Sequence, residues 1–278
     1  MPTIQQVLEA AIPLFPQLDS ARLEAEVLLG HVLRVKRSYL YTWPNGLLTT
    51  HQISQFQTLC QRRLQGEPIA YLLGHKEFWS LELQVTPATL IPRPETELLV
   101  EQALARLPLQ SDAQVVDLGT GSGAIALAIA RERPHCRVLA TDNAPEALNI
   151  AQQNAQRLGL QQVQFRVSDW WQALDQVTAA VVVSNPPYIA STDPHLTQGD
   201  VRYEPRHALI AGKDGLAAIR LLIAQSLVQL ESKGWLLLEH GYNQATAVQK
   251  LLTRHGYQMI TTYPDLAGQP RVTVGQKP

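Results

Sequence analysis

The chain has 278 residues, 45% of them hydrophobic and 17% charged, enough to bury one or two cores, which excludes a disordered or low-complexity polymer. A formal net charge of −1 excludes an overall basic field that would draw the chain to nucleic acid. Two separated cysteines, Cys60 and Cys136, suit neither a disulfide scaffold nor a zinc cluster, and no apolar run approaches the roughly 18 residues of a membrane span.

The opening Met-Pro-Thr-Ile-Gln-Gln lacks the basic start of a signal peptide, and the histidines are scattered without ligand spacing; a cytoplasmic protein without a metal is expected. Residues 1–73 read as a small helical bundle. Thr3 is placed to cap a run with Val7, Leu8 and Ala11 on one face. Asp19 or Ser20 is placed to cap the next, where Leu23, Val27, Leu28 and Val32 recur at helical spacing and Glu24 and Glu26 suit the first turn. Thr49 or Thr50 opens a third, with Ile53, Phe56, Leu59, Cys60 and Leu64 as its stripe and Gly66 as its stop. Such a bundle serves equally as a scaffold with a solvated face or as a docking module for a partner protein.

Residues 74–92 change period. Phe78, Leu81, Leu83 and Val85 lie among strand formers and Pro87 closes them, so a hairpin joining two domains is expected. Residues 93–278 form the third part. Pro92 and Pro94 precede a helix carrying Leu98, Leu99, Ala103 and Leu107. From about 112, strands at 115–118, 138–140, 163–167, 179–183 and 235–238 alternate with helices at 124–130, 145–158 and about 216–230; strands at 259–262 and 272–274 finish the chain. Continuous apolar strands alternating with helices predict an α/β fold, a mostly parallel sheet covered on both faces. Ligands of such sheets sit beyond the carboxyl ends of the strands.

The first of these strands ends in Gly119-Thr120-Gly121-Ser122-Gly123, where glycines permit a tight turn and close approach of a ligand. Asp142 ends the next strand, where a carboxylate can accept both ribose hydroxyls of a nucleoside. The third ends in Ser168-Asp169-Trp170, a carboxylate for an adenine amino group and an indole for its ring. These features suit a nicotinamide or flavin enzyme as well. The fourth strand runs into Asn185-Pro186-Pro187-Tyr188. Two prolines fix two backbone angles and remove two amide donors, leaving a rigid rim of acceptors. With the Asn185 side-chain oxygen and the Pro186 carbonyl, that rim can hold both hydrogens of a planar amino group. A nicotinamide oxidoreductase does not account for it.

With Asp-Leu-Gly-Thr-Gly-Ser-Gly at 117–123 and Asn-Pro-Pro-Tyr at 185–188, the chain resembles class I S-adenosylmethionine methyltransferases that act on a planar nitrogen. More narrowly it resembles the HemK/PrmC family, the peptide-chain release factor glutamine N5-methyltransferases. Ile91-Pro-Arg-Pro-Glu-Thr-Glu97, Asp193-Pro-His-Leu196, Gly199-Asp-Val-Arg-Tyr-Glu-Pro205 and Leu238-Glu-His-Gly241 carry the likeness over nearly the whole length.

The resemblance implies a Rossmann-like, mostly parallel seven-stranded sheet with an N-terminal helical bundle that docks the release factor. It implies S-adenosylmethionine as cofactor, leaving as S-adenosylhomocysteine, and no metal. Gly119, Thr120, Gly121, Ser122 and Gly123 would line the methionine end of the cofactor. Asp142 would hold its ribose, Asp169 and Trp170 its adenine, and Asn185 would border it. Asn185, Pro186, Pro187 and Tyr188 would receive the glutamine, with Asn185, Pro186 and Tyr188 in the catalytic role. The family's substrate is the glutamine of a Gly-Gly-Gln tripeptide in class I release factors, with no nucleic acid or membrane involved.

Two rivals share most of these motifs: a glutamine methyltransferase aimed at a ribosomal protein, and a DNA adenine N6-methyltransferase. The second needs a basic track for phosphates, whereas Lys/Arg and Asp/Glu nearly balance from residue 83 onward. Residues 189–215 read as a lid over the substrate mouth, Arg93 as an ion-pair partner or a residue closing over the methionine end, and His240 as a structural strand-end residue whose replacement by alanine is tolerated.

Overall fold

Two units, Met1–Gly74 and His75–Pro278, make up the chain in a computed structural model that describes residues 1–15 and 20–278. The first unit carries α1 (Ile4–Ala11), α2 (Ala21–Leu33), α3 (Arg37–Thr42), α4 (Thr50–Leu64) and α5 (Ile69–Leu73). Thr3 and Thr49 each close a reciprocal capping box, with Gln6 and Gln52 respectively. Ser20 precedes α2 without capping it through its side chain, and the alternative cap, Asp19, lies outside the described residues.

The buried face of α2 differs from the expected stripe. Leu23 is 42% exposed, while Ala25, Glu26, Leu28 and Leu29 are buried. The cause is Glu26: its carboxylate accepts from Arg22 Nε at 2.9 Å, Arg37 Nη2 at 2.8 Å and Tyr41 Oη at 2.6 Å. Burial alone would raise its pKa; the bonds from Tyr41, Arg37 and Arg22 outweigh burial and hold it below the ordinary carboxylate value. Around it Ile4, Leu8, Leu28, Phe56 and Cys60 share one apolar cluster.

In the second unit β1 (His75–Phe78) and β2 (Leu81–Gln84) pair antiparallel. Trp79 and Ser80, both left-handed at φ 52° and 56°, make the two-residue turn. Glu97 accepts the Trp79 amide at 2.8 Å and Glu77 accepts that of Ser80 at 2.7 Å, which holds this turn without glycine. The hairpin belongs to the larger unit and is no free-standing joint. Phe78, Leu81 and Leu83 lie in its core, and Asn154 clamps Gln84, accepting from its amide at 2.7 Å and donating to its carbonyl at 3.0 Å.

Then follow α6 (Glu97–Leu104), β3 (Gln114–Leu118), α7 (Ala124–Glu132), β4 (Arg137–Asp142), α8 (Pro145–Leu158), β5 (Gln164–Val167), β6 (Ala179–Ser184), α9 (Ala217–Gln229), β7 (Leu230–Glu239), α10 (Ala245–Arg254), β8 (Gln258–Pro264) and β9 (Pro270–Gln276). The seven strands lie in the order β5-β4-β3-β6-β7-β9-β8, with β9 antiparallel to both neighbours. Helices cover the sheet: Ala124–Ala130 of α7 are buried throughout, as are Ile219, Leu222 and Ile223 of α9. From β3 the chain winds outward through β4 and β5, then returns to β6 on the other side. The carboxyl ends of β3 and β6 are therefore the switch point where such sheets open a crevice.

Candidate active site

A cavity opens at that switch point, where ligands of such sheets bind. Gly119, Thr120, Gly121 and Ser122 line one side; Asp142, Asp169 and Trp170, from the ends of β4 and β5, line another. The loop backbone is held by buried Asp117, a residue without an assigned role in the sequence reading. Its carboxylate accepts from the Thr120 hydroxyl at 2.6 Å and the Ala126 amide at 3.2 Å, and burial pushes its pKa up to about 7. Asp142 accepts from the Gly121 amide at 2.9 Å and the Ala144 amide at 3.0 Å, one on each oxygen, so each oxygen keeps a lone pair for a further donor.

Gly123 departs from expectation. It does not line the cavity; it sits at φ 86° ahead of α7, where an added Cβ would meet Leu127 at 3.0 Å and Ala151 at 3.2 Å. Its role is packing between helices. The adjacent tryptophans separate cleanly. Trp171 is core, donating from its ring nitrogen to Ser226 at 3.0 Å. Trp170, left-handed at φ 51°, turns its ring toward Gly119, where a Cβ would stand 3.4 Å away. Exposed Asp169 accepts from the Gln172 side chain at 3.1 Å.

A second cavity adjoins the first and shares Asn185, Pro187, Arg93, Leu90 and Ala208 with it. Pro186 and Tyr188 face only the second. Asn185 thus stands in the wall between the two, and its Nδ2 donates to Thr96 Oγ1 at 3.2 Å. The rim is braced from behind. The Tyr188 carbonyl accepts from Gln244 Nε2 at 3.0 Å, and Gly215, at φ 72°, approaches so closely that an added Cβ would stand 2.3 Å from that carbonyl oxygen. Burial first, and then the neighbouring Glu239 charge, push the Tyr188 phenol above its ordinary pKa, so it is a neutral hydroxyl.

The segment 189–215 covers the mouth through 3-10 turns at Pro194–Thr197, Gly199–Tyr203 and Arg206–Ala208. His207 faces the first cavity and Asp200 the second. Its anchor is buried Glu204, which pairs with Arg93 and accepts the Ile91 amide at 3.3 Å. Arg93 is therefore the ion-pair partner of the covering segment. His240 is fully buried: Nδ1–H donates to the Gly241 carbonyl at 2.9 Å, so Nε2 accepts from the Thr273 hydroxyl at 2.7 Å. Burial lowers its pKa, and both nitrogens are engaged away from the cavities, so it is structural and no base. Glu239, at the end of β7, lies on the second cavity, a place that its motif alone does not indicate, and burial pushes its pKa up to about 7. Among the described residues, no group of three His, Cys, Asp or Glu is placed to hold a metal ion, and no helix is long and apolar enough to cross a membrane.

Chemically, one cavity offers a glycine-loop backbone open to close approach, two carboxylates and an indole; the next offers an acceptor-rich rim; and Asn185 lines both. Known proteins resemble this chain in sequence and in fold. A family described as the PrmC N-terminal domain matches residues 6–74, and one described as the methyltransferase small domain matches residues 94–201. A release factor glutamine methyltransferase of Xylella fastidiosa is 52% identical over 92% of this chain and 94% of its own. Another, of Escherichia coli, is 49% identical over 98% of each. Among solved structures, a methyltransferase from Pyrococcus furiosus aligns at TM-score 0.55 with 18% identity, over 78% of this chain and 96% of that one, a likeness of fold alone.

Proposed function

Because the chain belongs to the family of release factor glutamine methyltransferases, we propose that it transfers a methyl group from S-adenosylmethionine to the side-chain N5 of the glutamine in the Gly-Gly-Gln motif of class I release factors. The observation that carries this reading is the place of Asn185, in the wall between a nucleoside-type cavity and a rim of acceptors.

The residues fit the cofactor. The Asp142 oxygens retain lone pairs suited to a ribose, and the Trp170 ring beside Gly119 offers a flat face for a base. Gly121, with nothing within 4 Å of a Cβ built on it, leaves the loop open on the cavity side. S-adenosylmethionine supplies, when bound, a methyl carbon activated on a sulfonium.

The chain's own residues do the rest. An amide nitrogen is a poor nucleophile because its lone pair is delocalised, so alignment matters more than activation. Orientation of reacting groups supplies at best about 7–11 kcal/mol of a barrier. Asn185 Oδ1 and the Pro186 carbonyl accept the two amide hydrogens and present the nitrogen face-on. As positive charge grows on that nitrogen, both oxygens stabilise it, an oxyanion hole with the sign reversed. The alkylated amide is strongly acidic and releases its proton to a rim carbonyl or water, so no dedicated side-chain base is required. Glu204 and Arg93 hold segment 189–215 over the site and limit water access. The helical unit docks the release factor, and the whole reaction takes place in the cytoplasm.

The test is incubation with methyl-labelled S-adenosylmethionine and intact release factor, followed by peptide mapping. Label is expected on the Gly-Gly-Gln glutamine and absent when that glutamine is alanine. Label carried instead by a ribosomal protein, with none on the release factor, would overturn the reading.

A further inference from the structure

A primary carboxamide has two ends of nearly equal size, one that accepts and one that donates. The rim works only if Asn185 turns its oxygen to the incoming amide nitrogen, and shape does not decide that. We propose that Thr96 and Glu239 are positioning residues that fix the Asn185 carboxamide with its oxygen toward the acceptor cavity. This rests on the reading of that cavity as the glutamine site.

The argument is a count of protons along a buried chain. Thr96, 4% exposed, takes the Asn185 Nδ2 hydrogen on its hydroxyl oxygen at 3.2 Å. A hydroxyl has a single proton, and the Thr96 hydroxyl lies close enough to the Glu239 carboxyl to lower its pKa. Glu239 is 1% exposed; Tyr188 reaches one of its oxygens at 3.4 Å, and Oε2 has no hydrogen-bond partner among the described residues. An ionised carboxylate only accepts. It therefore draws the Thr96 proton, leaves Thr96 with lone pairs alone for Asn185, and obliges Asn185 to meet them with its N–H. The oxygen is then on the opposite side. The three residues come from the 3-10 turn before α6, the end of β6 and the end of β7, and each stands on one or both cavities.

Protonated Glu239 reverses the chain. Its O–H donates to Thr96, whose own proton then turns to Asn185; the carboxamide rotates and opposes one N–H₂ with another. Burial raises the Glu239 pKa to about 7, Arg271 on β9 opposes that, and Glu95 adds to it. His240, next in sequence, is committed to Gly241 and Thr273. The oriented state is thus the ionised one, favoured as pH rises through neutrality.

The test compares wild type with T96V, T96S and E239Q in single-turnover transfer at saturating cofactor, from about pH 6 to 8. T96V should slow transfer roughly 10- to 100-fold, part of what a whole oxyanion-hole donor is worth, with cofactor affinity by calorimetry unchanged. T96S should restore most of the rate. E239Q, which still offers an acceptor but does not titrate, should lose the acid limb of the wild-type profile. In parallel, the Asn185 side-chain amide signal in ¹⁵N NMR, identified by its absence in N185A, should move with pH in wild type and stay fixed in E239Q. T96V transferring at the wild-type rate, or a signal indifferent to Glu239, overturns the inference. A signal that responds as expected in a protein that methylates no release factor upholds the orientation chain and removes the proposed function instead.

Discussion

Replacing Asp142 by asparagine separates cofactor binding from chemistry. The carboxylate gives one oxygen to the Gly121 amide at 2.9 Å and the other to the Ala144 amide at 3.0 Å, and offers what remains to the ribose. Asparagine keeps the size but loses the charge and one acceptor, and its N–H₂ must oppose a backbone N–H on one side. A hydrogen bond to a charged group is worth about 1.5–3 kcal/mol. Loss of one such bond to the ribose raises the cofactor Kd by about 13- to 160-fold. Calorimetric titration with S-adenosylmethionine and with S-adenosylhomocysteine reads this directly, and both should weaken together because they share the ribose. At saturating cofactor the rate should fall less than about threefold, since the lost bond serves ground and transition states alike. A Kd within twofold of wild type would refute the ribose assignment and leave Asp142 a brace for the glycine loop only.

Asn185→Ala should show the opposite split, a transfer step slowed by about 10²–10³ with cofactor affinity retained; single-turnover kinetics with calorimetry checks it, and an undiminished step would contradict the rim. Gly215→Ala forces a Cβ to 2.3 Å from the Tyr188 carbonyl oxygen, so the rim must shift; transfer should drop at least about tenfold, as small misplacements of reacting groups do, with cofactor Kd little changed. His240→Ala is tolerated in chemistry alone: it empties a buried site and removes one bond of the Thr273 hydroxyl, which keeps Thr262 at 2.7 Å, costing roughly 2–4 kcal/mol by lost packing and a lost bond. Differential scanning calorimetry should show a lower melting temperature, with transfer near wild type in the cold. Glu26, held below its ordinary pKa in the helical unit, stabilises that unit fully above its unfolded value of about 4.3, and this is lost as pH falls through the folded value. Melting temperature should therefore fall below about pH 4.3 more steeply in wild type than in Glu26→Gln; equal slopes would contradict it.

The sheet was readable because parallel strands buried on both faces are continuous apolar runs, as at 115–118 and 179–183. Gly119 to Ser122, Asp142 and Asn185 were readable because each closes or follows such a run, and Trp170 because it follows the end of the edge strand β5; strand ends are where ligands sit. Local pattern does not report distant pairing. Thr96 and Asn185 are bonded across 89 positions, and Arg93 and Glu204 pair across 111. Glu239 did leave a signal, an acid closing the run Trp-Leu-Leu-Leu at 235–238, but a carboxylate at a strand end reads equally as solvated. Leu23 was assigned to the buried face because Glu26 reads as a surface residue until Arg22, Arg37 and Tyr41 are seen around it. α10 carries a helical period, with Val248 and Leu252 buried one turn apart, but it is short and lacks a capping side chain to mark its start. Gly123 shares the glycine spacing of its neighbours, yet the direction of its missing Cβ, toward α7 and α8, exists only in three dimensions.

The account turns on a flat carboxamide held by two oxygens of a proline-stiffened rim beside the methyl donor. A crystal structure of the protein with S-adenosylhomocysteine and intact release factor examines that directly. The glutamine amide nitrogen should lie within hydrogen-bond distance of both Asn185 Oδ1 and the Pro186 carbonyl, with the nucleoside against Asp142 and Trp170. A glutamine side chain ordered elsewhere, with Asn185 turning its nitrogen to the cavity, would contradict it.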